Sequence, residues 1–197
     1  MVQSEQRTLG TPRFEAFFAE SPGARAEVNA FVATVYRSEY GADPPLADAY
    51  AAVTFCGNLV CCAGIDWPGP DGRLVTERAY GIERAKICPP FTGVAQLGRW
   101  ASNTPKAGGL ALYAAAVFAL ERGVTIALGE ISELGRQHCT RLGLRFHDVP
   151  HSELDLTQIP EVARPTYAKR DMRPFLLEFS QVRSALHGYA AGLSLRK

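Results

Sequence analysis

The sequence predicts one α/β domain with a partly antiparallel sheet and helices packed against it. Two apolar runs on either side of Gly57-Asn58 are typical of a β-hairpin. After that hairpin, apolar runs and helical periodicity alternate along residues 92–149, which predicts strand, helix, strand, helix, strand. A length of 197 residues fits a single well-buried domain.

The first half of the chain is expected to contain one strand, one helix and the hairpin. Glycine and proline mark the end of the helix, because Gly41 is a natural stop and Pro44-Pro45 cannot continue it. Residues 1–11 are polar and expected to be flexible. In order, the predictions are a strand at 13–20, a helix ending near residue 40, strands at 49–56 and 59–66, a loop at 67–72, and either strand or short helix at 74–88.

The second half contains the clearest helix of the chain, since apolar residues share one face between Gly108 and Arg122. Ser132 can cap a later helix that Gly143 would end. Residues 150–197 are expected to extend the sheet. The remaining predictions are strands at 92–100, 124–131, 145–149 and 174–179.

Composition and charge exclude several classes of protein. A formal net charge of +1 without a Lys or Arg stripe argues against a nucleic-acid surface. Neither a bilayer-spanning apolar stretch nor the apolar core of a signal peptide is visible, which predicts a cytoplasmic protein without a membrane span. Five cysteines without CxxC spacing, and histidines without ligand spacing, predict neither a disulfide framework nor a metal site.

The most informative segment runs from Val94 to Ala111. It reads as a strand that breaks into a glycine-containing turn and opens directly into an apolar helix. This order places backbone N–H groups and the positive end of a helix dipole at the tip of a strand, which favours an anion such as a phosphate.

Three segments resemble motifs of the GNAT acyltransferases. Lys106–Ala111 looks like their pyrophosphate loop, Gln/Arg-x-x-Gly-x-Gly/Ala, and Cys139–Leu144 looks like the Tyr-x-x-Leu-Gly-Phe end of their last helix. Gln96–Ala101 resembles the Glu-Val-Ser-Arg-Phe-Ala signature of acyl-homoserine-lactone synthases, and the related strand of thermostable hemolysins and N-acyl amino acid synthases. The resemblance implies a GNAT-like fold with a mixed, mostly antiparallel sheet, splayed central strands and flanking helices.

It also implies transfer of an acyl group from a thioester to the amine of a small molecule by direct attack. Either CoA or an acyl carrier protein would carry the donor, and the protein would be a monomer or a homodimer. The residues expected to hold the phosphate of the donor are Lys106, Ala107, Gly108, Gly109 and Ala111.

The chain departs from the family at two catalytic positions. Gln96 replaces a glutamate suggested as the base, and Cys139 replaces a tyrosine that acts as general acid. The predicted catalytic residues are Gln96, Arg99, Glu130 and Cys139. The predicted substrate-binding residues are Asp43, Asp48, Asp66, Trp67 and Trp100, with Phe55 and Phe91 as candidates for an acyl tunnel.

Two other functions stay open at this point. The first is an enzyme that uses S-adenosylmethionine as acyl acceptor or as a substrate for cyclisation or cleavage, which loss of the glutamate at Gln96 favours. The second is a non-catalytic ligand-binding or hemolysin-like protein. Membrane action is the weaker form of the second, since no strongly amphipathic basic helix is apparent.

Overall fold

The computed structural model describes residues 13–87, 93–104, 107–169 and 171–196. The strands are β1 (Phe14–Ala19), β2 (Ala49–Phe55), β3 (Asn58–Asp66), β4 (Val94–Ser102), β5 (Ile126–Ser132), β6 (His147–Asp148), β7 (Met172–Glu178) and β8 (Leu193–Leu195). The helices are α1 (Pro22–Tyr40), α2 (Val75–Ala79), α3 (Arg84–Ile87), α4 (Gly108–Glu121), α5 (Glu133–Arg141), α6 (Arg164–Lys169) and α7 (Phe179–Leu186).

The strands form one sheet in the order β6-β7-β5-β4-β3-β2-β1-β8. Within it, β4 pairs with β5 and β1 with β8 in parallel, and the other neighbours are antiparallel. The predicted α/β class with a mixed, mostly antiparallel sheet is therefore confirmed. No helix among the described residues is long and apolar enough to cross a membrane.

Local signals fix most of the predicted elements. The hairpin turn uses positive φ angles at both Cys56 and Gly57, 50° and 82°, as a tight two-residue turn between twisted strands requires. The Ser21 hydroxyl accepts a hydrogen bond from the Ala24 N–H at the start of α1, and Gly41 ends that helix with a φ of 68°. Ser132 caps α5 in the same way.

The helices cover both faces of the sheet. α4 and α7 pack over one face, in a core with alternate residues of β4 and β5 such as Leu97 and Ala127. On the other face, α1 covers β2 and β3, whereas α2 packs on Ile126 and Leu128 of β5. Because side chains alternate along a strand, Gln96 and Glu130 belong to this second face.

The central strands β4 and β5 separate partway along their length. They pair only from Val94↔Ile126 to Leu97↔Gly129, although both continue beyond that point. A Cβ on Gly129 would lie 2.3 Å from the Leu97 carbonyl oxygen, so glycine permits the close approach at the last pair. The predicted splay of the central strands is thus present.

Departures from the predictions lie mainly outside this centre. Residues 74–87, left open between strand and helix, form α2 and α3, and Cys88 lies outside the described residues. The strand predicted at 145–149 shrinks to the two residues of β6. Between residues 150 and 196, β7 and β8 join the sheet, and the chain also forms α6 and α7, for which no prediction was made.

Candidate active site

Three neighbouring hollows, which share some of their lining residues, lie where β4 and β5 separate. The outer cleft, about 660 Å³, runs between α1 and α5 and reaches Gly108 at the start of α4. The apolar pocket, about 130 Å³, lies deeper and includes Leu97, Cys139 and Phe175. The third hollow, about 90 Å³, is walled by α6 and the turn before it, and we call it the polar pocket because Gln96 and Tyr167 line it beside Arg99 and Glu130. Tyr36 borders all three.

Gly98, Arg99 and Glu130 line both the apolar and the polar pocket. They occupy the first positions of β4 and β5 after the pairing ends. A Cβ built on Gly98 would meet nothing within 4 Å, so the glycine leaves open space at this junction. Where the strands diverge, these three residues therefore form a wall that the two pockets share.

Glu130 provides the carboxylate of the polar pocket. Its Oε1 accepts a hydrogen bond from the Thr76 hydroxyl at 2.7 Å, and its Oε2 accepts one from the Tyr167 hydroxyl. Removal from water raises the pKa of Glu130, although both hydroxyls and the charge of Arg99 oppose that shift. A carboxylate with a raised pKa at the wall of a pocket is suited to accept a proton.

Gln96 lies beside it on β4, 7% exposed. Its Oε1 accepts the Thr76 backbone N–H at 3.1 Å, so its amino group is the part that can donate into the polar pocket. The position that is glutamate in the lactone-synthase signature therefore supplies a neutral donor here. The carboxylate of this site comes instead from Glu130 on the neighbouring strand.

Arg99 lies in a β-bulge of β4 opposite β3, with a φ of 47°. Its Nη1 lies 2.5 Å from Asp66 Oδ2, and its Nε donates to the Pro45 carbonyl at 2.6 Å. Burial disfavours the cation, but the charge and hydrogen bond of Asp66 raise the pKa of Arg99 overall. Arg99 is therefore a fixed cation between the two inner pockets.

Three predicted substrate-binding residues support Arg99 instead of lining a hollow. The Asp48 N–H donates to Asp66 Oδ1 at 3.1 Å, and the Trp67 N–H donates to Asp48 Oδ2 at 2.9 Å. Asp48, Asp66 and Trp67 are absent from the walls of the three hollows. They hold the ends of β2 and β3 together and present Asp66 to Arg99.

Two other predicted residues lie away from the three hollows. Asp43 forms a salt bridge with Arg37 at the solvent-exposed end of α1 and lines none of the three hollows. Phe55 is 37% exposed at the hairpin turn, with its ring 4.7 Å from that of Phe14, so it lines no acyl tunnel. Phe91 lies outside the described residues.

Trp100 and the start of α4 form one end of the outer cleft. Trp100 borders the outer cleft and the apolar pocket, and its Nε1 donates to the Gly108 carbonyl at 3.0 Å. A Cβ on Gly108 would lie 2.8 Å from the indole, and one on Gly109 would lie 2.8 Å from the Tyr189 ring. Both glycines therefore allow close packing at the end of the cleft.

The other residues of the predicted phosphate loop are less available. The Ala107 N–H already donates to the Thr104 carbonyl at 3.1 Å, and the Ala111 side chain is fully buried. Lys106 lies outside the described residues. Among the predicted loop residues that are described, Gly108 is the one that borders the outer cleft.

Cys139 faces the apolar pocket from α5, as its position in the motif predicts. Burial raises its pKa to about 12. A free thiol has a pKa near 8.5, so a departing thiol would be the stronger acid of the two. Cys139 therefore acts as an apolar wall more readily than as a proton donor.

Thr76, Tyr167 and Tyr36 were not found from the sequence. Tyr36 shares the apolar periodicity of α1, and Thr76 falls in the segment left open between strand and helix. The hydroxyls of Thr76 and Tyr167 reach Glu130 across 54 and 37 positions of sequence. Within the described ranges, no group of three or more His, Cys, Asp or Glu residues could hold a metal ion.

The fold matches solved structures of the branch that the motifs resemble. FeeM, an N-acyl amino acid synthase from uncultured soil microbes, superposes with a TM-score of 0.61 and 17% identity over 89% of this chain and 96% of FeeM. The acyl-homoserine-lactone synthase LasI gives 0.60 and 14% over 95% and 100%. BjaI, a CoA-dependent acyl-homoserine-lactone synthase solved with S-adenosylmethionine and isopentyl-CoA, gives 0.59 and 12% over 94% of each chain.

At these identities the likeness establishes the fold. No protein-family model matches the sequence, and no curated protein matches it.

Proposed function

We propose that this protein is an acyltransferase that moves an acyl group from a thioester to the amine of a small molecule. The observation that carries the proposal is the divergence of β4 and β5, where Glu130 and Arg99 line both the apolar pocket and the polar pocket. A thioester placed across that opening would meet an amine held on the polar side.

The donor would enter through the outer cleft. Its phosphate end would lie near Gly108 at the start of α4, where the helix dipole favours negative charge, and Lys106, two positions earlier in the sequence, would add a positive charge. Its acyl chain would occupy the apolar pocket, walled by Leu97, Cys139 and Phe175. Both CoA and an acyl carrier protein present such a phosphate-linked thioester.

The acceptor would bind in the polar pocket as an ammonium ion on Glu130. Glu130 takes one proton, and the neutral amine attacks the thioester carbonyl carbon, forming the C–N bond. Expulsion of the thiolate breaks the C–S bond. The amide nitrogen gives up its second proton to the departing sulfur through solvent in the outer cleft, and Glu130 then releases its own proton to solvent. Gln96 and Arg99 orient the acceptor beside this step. FeeM, by its name an N-acyl amino acid synthase, supports an acyl acceptor of amino-acid type.

The test is release of free thiol from acetyl-CoA and a long-chain acyl-CoA across a panel of small amines. Glu130→Gln keeps the shape of the side chain but cannot take a proton, so we expect turnover to fall by about 100-fold or more. Glu133→Gln is the matched control, since Glu133 is exposed on α5 and bonds only the Gln137 side chain in the described structure. Full activity in Glu130→Gln would reject the assigned base, and no turnover by the unaltered protein would reject the function.

A second candidate uses S-adenosylmethionine as the acceptor or as the reacting molecule. Gln96 in place of a glutamate favours it, and BjaI and TofI were solved with S-adenosylmethionine or MTA. The size of the polar pocket, about 90 Å³, favours a compact amine over a nucleoside.

A further inference from the structure

Two hydroxyl groups from separate elements hold the Glu130 carboxylate. We propose that Thr76 and Tyr167 are positioning residues, whose hydroxyls fix this carboxylate in the orientation from which it takes the proton of the acceptor. The role of Glu130 as base rests on the proposed function, whereas the holding role rests on the contacts themselves.

The geometry assigns one hydroxyl to each carboxylate oxygen. Thr76 lies in the first turn of α2 and donates to Oε1 at 2.7 Å, whereas Tyr167 on α6, which lines the polar pocket, donates to Oε2. Rotation of the carboxylate would break both bonds together. A carboxylate offers about four acceptor positions, so each oxygen keeps capacity for an ammonium proton.

Thr76 is itself held in place. Its backbone N–H donates to Gln96, so Thr76 contacts two polar side chains of the pocket, Gln96 and Glu130. The next residue, Glu77, is 2% exposed and accepts from the Leu74 N–H at 2.6 Å. Arg84 donates to both oxygens of Glu77, at 2.8 and 2.6 Å, and anchors α2 from below. The hydroxyl of Thr76 is thereby presented by a fixed helical turn.

The electrostatic surroundings define what the two hydroxyls do. Arg99 on β4 lowers the pKa of Glu130 and Asp66 on β3 raises it, but removal from water is the largest influence and raises it. Tyr80, after α2, and Tyr36, on α1, also face this region, and β7 presents Met172. Burial and the nearby carboxylate hold the pKa of Tyr167 far above its usual value, so it remains a donor at every working pH.

Removal of either hydroxyl has a predictable sign. Each bond stabilises the ionised carboxylate, so its loss raises the pKa of Glu130 further. Ionised Glu130 is the form that accepts a proton. The fraction of active protein at a given acidic pH would therefore decrease in Tyr167→Phe and in Thr76→Val.

The experiment follows the ¹³C carboxyl resonance of Glu130 against pH, assigned by its absence in Glu130→Gln. We expect the midpoint to rise by about one pH unit in Tyr167→Phe and in Thr76→Val, and further in the double variant. Tyr80→Phe is the matched control, because it removes a buried tyrosine hydroxyl that donates to the Met172 carbonyl at 2.8 Å instead. Melting curves establish that each variant is folded. If one single variant does not fold, the midpoint of the other still tests the inference.

Midpoints unchanged in folded Tyr167→Phe and Thr76→Val would overturn the inference, as would an equal rise in Tyr80→Phe. With substrates, the acidic limb of kcat/KM should move upward with the resonance. A shifted resonance in a protein that transfers no acyl group would support the holding role and reject the proposed function, so the two failures can be told apart.

Discussion

Arg99 shows how a single residue is constrained for a site. Its backbone has a positive φ of 47°, which residues other than glycine rarely adopt. Its side chain is 12% exposed, and the side chain of its partner Asp66 is 14% exposed. The bulge aims Arg99 at Asp66 and at the Pro45 carbonyl, and Gly64 gives it room, since a Cβ there would lie 3.2 Å from the Arg99 side chain. The strain is held by contacts on both sides.

Asp66→Asn tests that constraint. The substitution leaves the buried guanidinium without its counter-charge, so we expect the free energy of unfolding to decrease by about 3 kcal/mol. Urea unfolding measures it. The matched control is Asp43→Asn, which breaks an arginine–aspartate pair that is 64% and 45% exposed, and should change stability little. Equal effects of the two substitutions would show that Asp66 is not structurally coupled to Arg99.

At the scale of elements, the proposed acyl transfer depends on where β4 and β5 stop pairing. Gly129 closes the paired region, and Gly98 opens the unpaired one. Their surroundings differ, because a side chain at Gly129 would meet a carbonyl oxygen, whereas one at Gly98 would enter the space between the two pockets. Glycine thus permits close packing at Gly129 and leaves open space at Gly98.

Gly98→Val should block the passage without unfolding the protein. Valine suits a strand, and the built Cβ is free of contacts, so we expect the melting temperature to stay within a few degrees. Thiol release from acyl-CoA should fall about tenfold or more, because the carbonyl and the amine could no longer meet. Gly188→Val, also free of contacts and outside the three hollows, is the control. Unchanged turnover in Gly98→Val would place the reaction elsewhere.

Elements with local signals could be predicted from the sequence, and contacts between distant segments could not. Ser21, Gly41 and Ser132 mark helix ends through bonds within a few residues, so α1 and α5 were predicted closely. Glu130 was chosen as a candidate catalytic residue because it is a carboxylate at the end of an apolar strand. Its partners were missed because a hydroxyl of Thr76 or Tyr167 carries no sign of a bond made only in the folded chain.

At the scale of the whole molecule, the two faces of the sheet border different pockets. Leu97 and Phe175 belong to the core with α4 and α7, and they wall the apolar pocket. Gln96 belongs with Thr76 and Tyr167 to the opposite face, where the polar pocket lies. In the proposed reaction, the sheet would therefore separate the acyl chain from the amine except where β4 and β5 diverge.

Ligand-dependent melting of the intact protein tests this division and the choice between the two candidate functions. A ligand of the folded state raises the melting temperature, and acyl-CoA at 100 times its Kd should add about 5 °C or more for a chain of this size. Acyl-pantetheine, which lacks the nucleotide, should add less, because it loses the contacts near the start of α4. A rise with S-adenosylmethionine alone, and none with either thioester, would favour the nucleoside-using enzyme and reject the donor site proposed for the outer cleft.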